Sequence, residues 1–192
     1  MIADTKQTAY QWITAEPKDV NVINDYYCQT RDVFQARNNK ILNELIKRGI
    51  NENKAYLISA IIGEIGNNSF DHNLGNWPDI MGIFFNYETK EQALEIILAD
   101  RGQGILKTLK KVKPELKNDL EALKTAFTEK ISGRAPENRG NGLKFVKSSV
   151  KEMNINLSFI SGNGQAELNH QIKIQQISQN IKGCLAILKI KI

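Results

Sequence analysis

The hydrophobic period along this chain changes in an order that a doubly wound sheet does not use. Over residues 30–48, Val33, Ala36, Ile41, Leu45 and Ile46 recur at helical spacing, and Gly49 is placed to stop the helix. A second helical stretch opens near Asn51 or Asn53 and runs to about residue 71. After the turn signal Asn73-Leu-Gly-Asn-Trp-Pro-Asp come two strand candidates, residues 80–87 and 93–99. A helix is predicted within 119–129 and another over 143–152. The tail then alternates apolar and polar over 155–160, turns at Ser161-Gly-Asn-Gly, and continues as strands over 165–174 and 184–192. Helices, then strands, then helices, then strands, without βαβ alternation, argue for a two-layer α+β sandwich. Its expected form is a mixed, mostly antiparallel sheet with helices on one face. Residues 1 to about 35 are mixed in character, and residues 1–37 read as an N-terminal extension packed on a domain of residues 38–192.

Composition narrows the function classes. With 192 residues, 41% of them hydrophobic, the chain suits one core. The balance of 26 Lys+Arg against 21 Asp+Glu is too mild to announce a nucleic-acid binder. Nothing approaches the roughly 20 apolar residues of a membrane helix, and the N-terminus lacks a secretory pattern. Cys28 and Cys184 lie far apart, which fits reduced thiols and a cytoplasmic location. Two cysteines and two histidines make no cysteine/histidine zinc cluster.

The second helix breaks its own pattern. Leu57, Ile58, Ile61, Ile62 and Ile65 define its buried stripe. At about 100° per residue, Glu64 falls at the stripe's edge, while Asn68 and His72 fall on it. An amide and an imidazole thus occupy positions where the pattern asks for Leu or Ile. Gly63 and Gly66 add up to about 1 kcal/mol each against helix formation. Such accumulated violations are expected where a helix lines a site; the competing reading is a frayed, solvated helix end.

Two glycine turns follow. Asp100-Arg-Gly102-Gln-Gly104-Ile105 leaves a hydrophobic strand, but a dinucleotide fingerprint needs a third glycine where Lys107 stands, and GxxxxGK[ST] occurs nowhere. What remains is an acid at a strand end, able to accept a hydrogen bond from an amino group, and two glycines that admit a close approach to the backbone. Arg139-Gly140-Asn-Gly142-Leu143 opens a helix, whose free N–H groups suit an anion. Tight turns without a ligand explain either motif taken singly. Residues 106–151 hold twelve basic against five acidic residues. That field would draw a polyphosphate, or is a solvated helical face.

Taken in order, Glu64-Ile-Gly-Asn-Asn68-Ser-Phe-Asp-His72, Asp100-Arg-Gly102-Gln-Gly104-Ile105 and Gly140-Asn-Gly142-Leu143 resemble the N, G1 and G2 boxes of the GHKL ATPase superfamily. The resemblance covers roughly residues 38–192. It implies the Bergerat (histidine-kinase-like ATPase) fold with ATP and Mg²⁺ as cofactors. It further implies that Asn68 holds Mg²⁺, that Asp100 binds the adenine amine, and that Gly102, Gly104 and Ile105 admit the nucleotide. Gly140, Gly142 and Leu143 would bring backbone N–H groups to the phosphates, and Glu64 would be the general base. Residues 106–139 would form an ATP lid, disordered without nucleotide, with Lys107, Arg134 and Arg139 as phosphate contacts. The first 50 residues contain no histidine, so a self-contained sensor kinase is not expected.

The chain is most similar in shape to stand-alone anti-sigma-factor-type serine kinases, which implies a kinase or ATPase working with a protein partner and leaves a homodimer open. A nucleotide-gated interaction module without catalysis is the alternative. Nucleic acid is disfavoured as a partner, because aromatic residues do not interleave with the lysines.

Overall fold

The computed structural model describes residues 4–90, 93–131 and 141–191. In chain order these form α1 (Thr5–Thr14), a 3-10 turn (Pro17–Asp19), β1 (Tyr27–Cys28), α2 (Arg31–Lys47), α3 (Glu52–Asn73), β2 (Ile83–Lys90) and β3 (Ala93–Asp100). They continue as α4 (Gly104–Leu109), α5 (Asp119–Thr128), α6 (Gly142–Glu152), β4 (Asn156–Leu168) and β5 (Ile172–Lys191). Side-chain caps fix four helix starts: Asp4 accepts from the Lys6 N–H, Thr30 from that of Val33, Asn51 from that of Lys54, and Asn118 from that of Glu121. Among the described residues no helix is long and apolar enough to cross a membrane.

The expected α+β class holds. Among the described residues the sheet has five strands in the order β1-β2-β3-β5-β4, and all four pairings are antiparallel, against the expected mixed, mostly antiparallel sheet. Strand alternation then divides the core. Leu94, Ile96 and Leu98 of β3 face one way with Ala186, Leu188 and Ile190 of β5, beneath Ile58, Ile61, Ile62 and Ile65 of α3. Ile97, Ala99, Leu185 and Ile187 face the other way, against Ala9, Trp12 and Ile13 of α1.

Helices therefore cover both faces, which corrects the one-sided expectation. Residues 1–37 hide a real helix whose only fully apolar inward positions are these three, spaced at i, i+3 and i+4. Ten residues with three apolar anchors give too short a period to detect.

The Ser161-Gly-Asn-Gly turn is also corrected. β4 runs straight through it, and the register shifts at Ser161/Gly162 and Gly162/Gly164 mark an irregularity in the ladder. The physical reason lies on α5. The Asp119 carboxylate fills the space where a side chain at position 162 would stand, and it accepts a hydrogen bond from the Asn163 N–H at 3.2 Å. The reversal comes later, at residues 169–171, where the Asn169 side chain accepts from the Gln171 N–H at 3.1 Å.

Much of the expected lid is built into this edge of the domain. Leu123 and Phe127 of α5 are fully buried, with Phe127 edge-on to Phe159. Leu109, Leu116 and Ala122 form a small core of their own between α4 and α5. Of the lid expected over 106–139, residues 132–139 lie outside the described residues.

Candidate functional site

Period two carries the apolar stripe of β3 from Leu94 through Ile96 and Leu98 to Asp100, so a carboxylate ends a row of core residues. Its neighbours across the sheet are Ile83 of β2 and Cys184 of β5. Asp100 is 2% exposed. One of its oxygens accepts from the Ser69 hydroxyl at 2.7 Å, and the other from the Gly102 N–H at 2.8 Å. Burial pushes its pKa from 3.8 up to about 6, despite hydrogen bonds from Ser69, Gly102 and the Cys184 backbone that act the other way. At neutral pH it remains a carboxylate, an acceptor held at some cost. Burial and then the Asp100 charge push the neighbouring Cys184 thiol well up.

The carboxylate lines a small cavity of about 40 Å³ between α3, the sheet and the start of α4. One wall is a face of α3: Ile65, Asn68, Ser69, His72 and Asn73, at i, i+3, i+4, i+7 and i+8. The floor is Leu98, Cys184, Ala186 and Phe159 of the sheet, and Gly104, Ile105, Thr108 and Leu143 close the far side. Apolar walls with convergent polar groups are what a flat heteroaromatic ring with an amino group would need. Asn68 and His72 are therefore pocket-lining residues rather than a frayed helix end.

Beside the pocket, Glu64 and Asn68 meet the start of α6. A Cβ added to Gly142 would overlap the Glu64 carboxylate and would lie 3.4 Å from Asn68 Nδ2. A side chain at 142 would displace the Glu64 carboxylate from its present place against this helix end. Asn141, at the N-cap position, makes no side-chain bond to the first turn of α6, so its leading N–H groups have no cap of the usual kind. The structure thus brings together Asn68, Asp100, Gly104, Ile105 and Leu143 in one pocket, with Glu64 and Gly142 adjoining.

Two predicted residues depart from this set. Gly102 is not on the pocket wall: a Cβ there would overlap the Asn73 amide, which accepts from the Gln103 N–H at 2.8 Å and donates to the Ser69 carbonyl at 2.8 Å. Its small size serves a helix-to-turn seam. Lys107 is exposed on α4 and lines a separate groove with Lys110 and Lys182, so it does not face the Asp100 pocket. Arg134, Arg139 and Gly140 lie outside the described residues. Gly104, by contrast, has φ +74° and touches the pocket, so glycine is required there by backbone geometry as well as by space.

Sequence reasoning missed Ser69 and Asn73. Their signal was available: both share the α3 face with Ile65 and break it with polar atoms, as Asn68 does. It also missed Arg101, which is fully buried although it stands between Asp100 and Gly102. Its guanidinium donates to the carbonyls of Trp12 (2.8 Å), Ile13 (3.0 Å) and Ala15 (2.8 Å) at the end of α1. It also donates to both oxygens of Asp79, at 3.0 and 2.7 Å. Burial alone would raise the Asp79 carboxyl, but the bonds from Arg101 and the Ile80 N–H, with the charges of Arg101 and Lys182, hold it below its usual value.

Among the described residues no group of three or more His, Cys, Asp or Glu could hold a metal ion. Glu64 and Asn68 stand one turn apart on α3, and each carries a hard oxygen donor. That fits Mg²⁺ completed by phosphate and water oxygens, and does not fit a metal caged by protein alone. The chain matches no model of a known protein family, and no curated protein matches it.

Proposed function

We propose that the chain is an ATP-binding regulatory protein of the GHKL kind, with a Bergerat fold, that works with a separate protein partner in the cytoplasm. The observation that carries this reading is the pocket in which Asp100 and Asn68 converge, beside a helix start where Gly142 abuts the Glu64 carboxylate. Asp100 would accept a hydrogen bond from the adenine amine. Gly104, Ile105 and Leu143 would pack on the ring and sugar, and the leading N–H groups of α6 would receive the phosphates. Asn68, with the phosphates, would hold Mg²⁺, which when bound offsets phosphate charge. Glu64 would orient a water or a serine hydroxyl toward the γ-phosphate and take its proton. By the resemblance alone, Arg134, Arg139 and Gly140 would complete the phosphate site. A homodimer remains compatible with this reading.

One observation favours the second reading, a nucleotide-gated interaction module without useful chemistry. The Glu64 carboxylate sits against the positive end of α6, where a charge serves helix stability without any role in turnover.

A Mg²⁺-ATP thermal-shift and turnover series separates these readings. Ligand at a hundred times its dissociation constant adds about 2.7 kcal/mol of stability. Binding plus hydrolysis or transfer to a partner, lost in Glu64→Gln with binding kept, supports the enzyme. Binding with no turnover leaves the module, and no binding to ATP, ADP or GTP removes both.

A further inference from the structure

We propose that Arg101 and α1 form a coupling arm, through which the seating of α1 on the back of the sheet sets the nucleotide affinity of the Asp100 pocket on the front. The inference rests on the ATP reading above and adds to it a positioning residue and the element that residue reads.

Adjacent residues of an extended strand point to opposite faces. Asp100 therefore enters the pocket while Arg101, the next residue, crosses to the α1 side. Gly102 follows and returns its N–H to the Asp100 carboxylate at 2.8 Å. The turn that follows Asp100 is thus held from both sides. In front, Asn73 accepts from the Gln103 N–H, and Gln103 Nε2 donates to the His72 carbonyl at 2.9 Å. Behind, Arg101 spends its side-chain donors on α1 and Asp79.

A guanidinium has five N–H groups, and five acceptor contacts surround this one. Three are carbonyls from the last turn and cap of α1, the helix end where unpaired acceptors and a partial negative charge favour a cation.

The arm is built to be movable at one end. α1 is a ten-residue helix held by Ala9, Trp12 and Ile13 on one side only. Helices of that length are marginal on their own, so α1 exists by docking. Elements of this sort open at free energies well below that of the whole fold. When α1 lifts, Arg101 loses three of its acceptors together with its cover and keeps only the Asp79 pair. The hold on the Asp100–Gly102 backbone from behind is loosened to that degree. Linkage makes the effect mutual: nucleotide that requires the ordered turn holds α1 down to the same degree.

The test uses the full chain. Trp12 and Trp77 are its two tryptophans, so Trp77→Phe leaves Trp12 as the sole reporter on α1. Mg²⁺-ATP is titrated while acrylamide quenching of Trp12 is followed, with affinity measured in parallel by calorimetry. Quenching is expected to fall, with the calorimetric midpoint. Asp4→Ala removes the α1 N-cap bond to the Lys6 N–H and the contact with Lys90, both outside the pocket. It is expected to weaken ATP binding several-fold, and Arg101→Lys, which keeps the charge and loses the fork, on the order of tenfold. Should Arg101→Lys not fold, Asp4→Ala and the Trp12 signal decide the matter. Tight ATP binding with unresponsive Trp12 and an unchanged Asp4→Ala affinity overturns the arm alone. No nucleotide binding by the wild-type chain removes the ATP reading and the arm together.

Discussion

Replacing Asp100 with Asn should make the ligand-free protein more stable and the nucleotide complex weaker. The carboxyl has a pKa of about 6 in the fold against 3.8 for the free group, and burial is the leading cause. About two units at 1.36 kcal/mol each put the native-state cost of the charge near 3 kcal/mol, an upper bound on what neutralising it returns. Asn keeps one oxygen for the Gly102 and Cys184 N–H groups. Its NH₂ would then face the Ser69 hydroxyl, which now donates to Asp100 at 2.7 Å and must turn around to accept. The Ile65 carbonyl, 3.5 Å from Ser69 Oγ, is there to receive the displaced O–H. One imperfect hydrogen bond takes back roughly 1–2 kcal/mol, so a net gain of about 1–2 kcal/mol is expected at neutral pH.

The pH dependence gives this prediction its sign. Between pH 3.8 and about 6 the native state holds a proton that the unfolded chain has released. Wild-type stability therefore falls as pH rises through that window and levels off above it. The Asn variant lacks this slope, so its advantage should be full above about pH 6.5 and be lost or reversed by about pH 4, where only the imperfect hydrogen bond remains. Urea unfolding of both ligand-free proteins across that range measures the difference directly. ATP affinity at neutral pH should meanwhile drop about tenfold to a hundredfold, the worth of a hydrogen bond to a charged group. A difference in stability that does not change with pH, or a wild type more stable than the variant at neutral pH, would refute the reasoning.

Gly66→Ala should destabilise by about 1–3 kcal/mol even though alanine is the better helix former. Its Cβ would enter the ring of Phe34, which is fully buried and locked edge-on to Phe85; thermal unfolding reads the loss. Gly102→Ala should cost a similar amount by driving Asn73 from the Gln103 N–H, and faster amide exchange at Gln103 is the specific signature. Ser161→Ala should leave the Ile105 N–H without its partner at 2.9 Å and cost about 1–3 kcal/mol, measured by urea unfolding.

The parts legible in the sequence are those where one period runs long enough to be read. α2, α3, α5 and α6 each carry a helical stripe, and β3 carries a row of apolar residues whose parity already places Asp100 on the core face. β2 begins three residues later than its apolar run, because Ile80 packs behind the sheet before the strand starts. What failed were features whose cause lies far along the chain. Glycines 162 and 164 read as a turn, since nothing nearby announces that Asp119 will occupy their missing side-chain space. The true reversal at 169–171 contains no glycine or proline to mark it. Nothing in the glycine turn marks Arg101 as buried, because its α1 acceptors stand 86 to 89 positions away.

That distinction also sorts the anomalies that first suggested a ligand. Mid-helix Gly66 is accounted for by Phe34, and Gly102 by Asn73, so neither argues for a nucleotide. Asp100 is different. Its environment raises the energy of the charged form, and a core residue at the end of that stripe would raise no such cost. The neutral alternative, a hydrophobic side chain over Leu98 and Ala186, is what the strand pattern otherwise selects. A group kept ionised at a few kcal/mol, facing an apolar pocket instead of a cation, is the arrangement expected when an incoming donor supplies the missing stabilisation. The case for a ligand therefore rests less on the glycines that spell the motif than on the carboxylate that the fold would be more stable without.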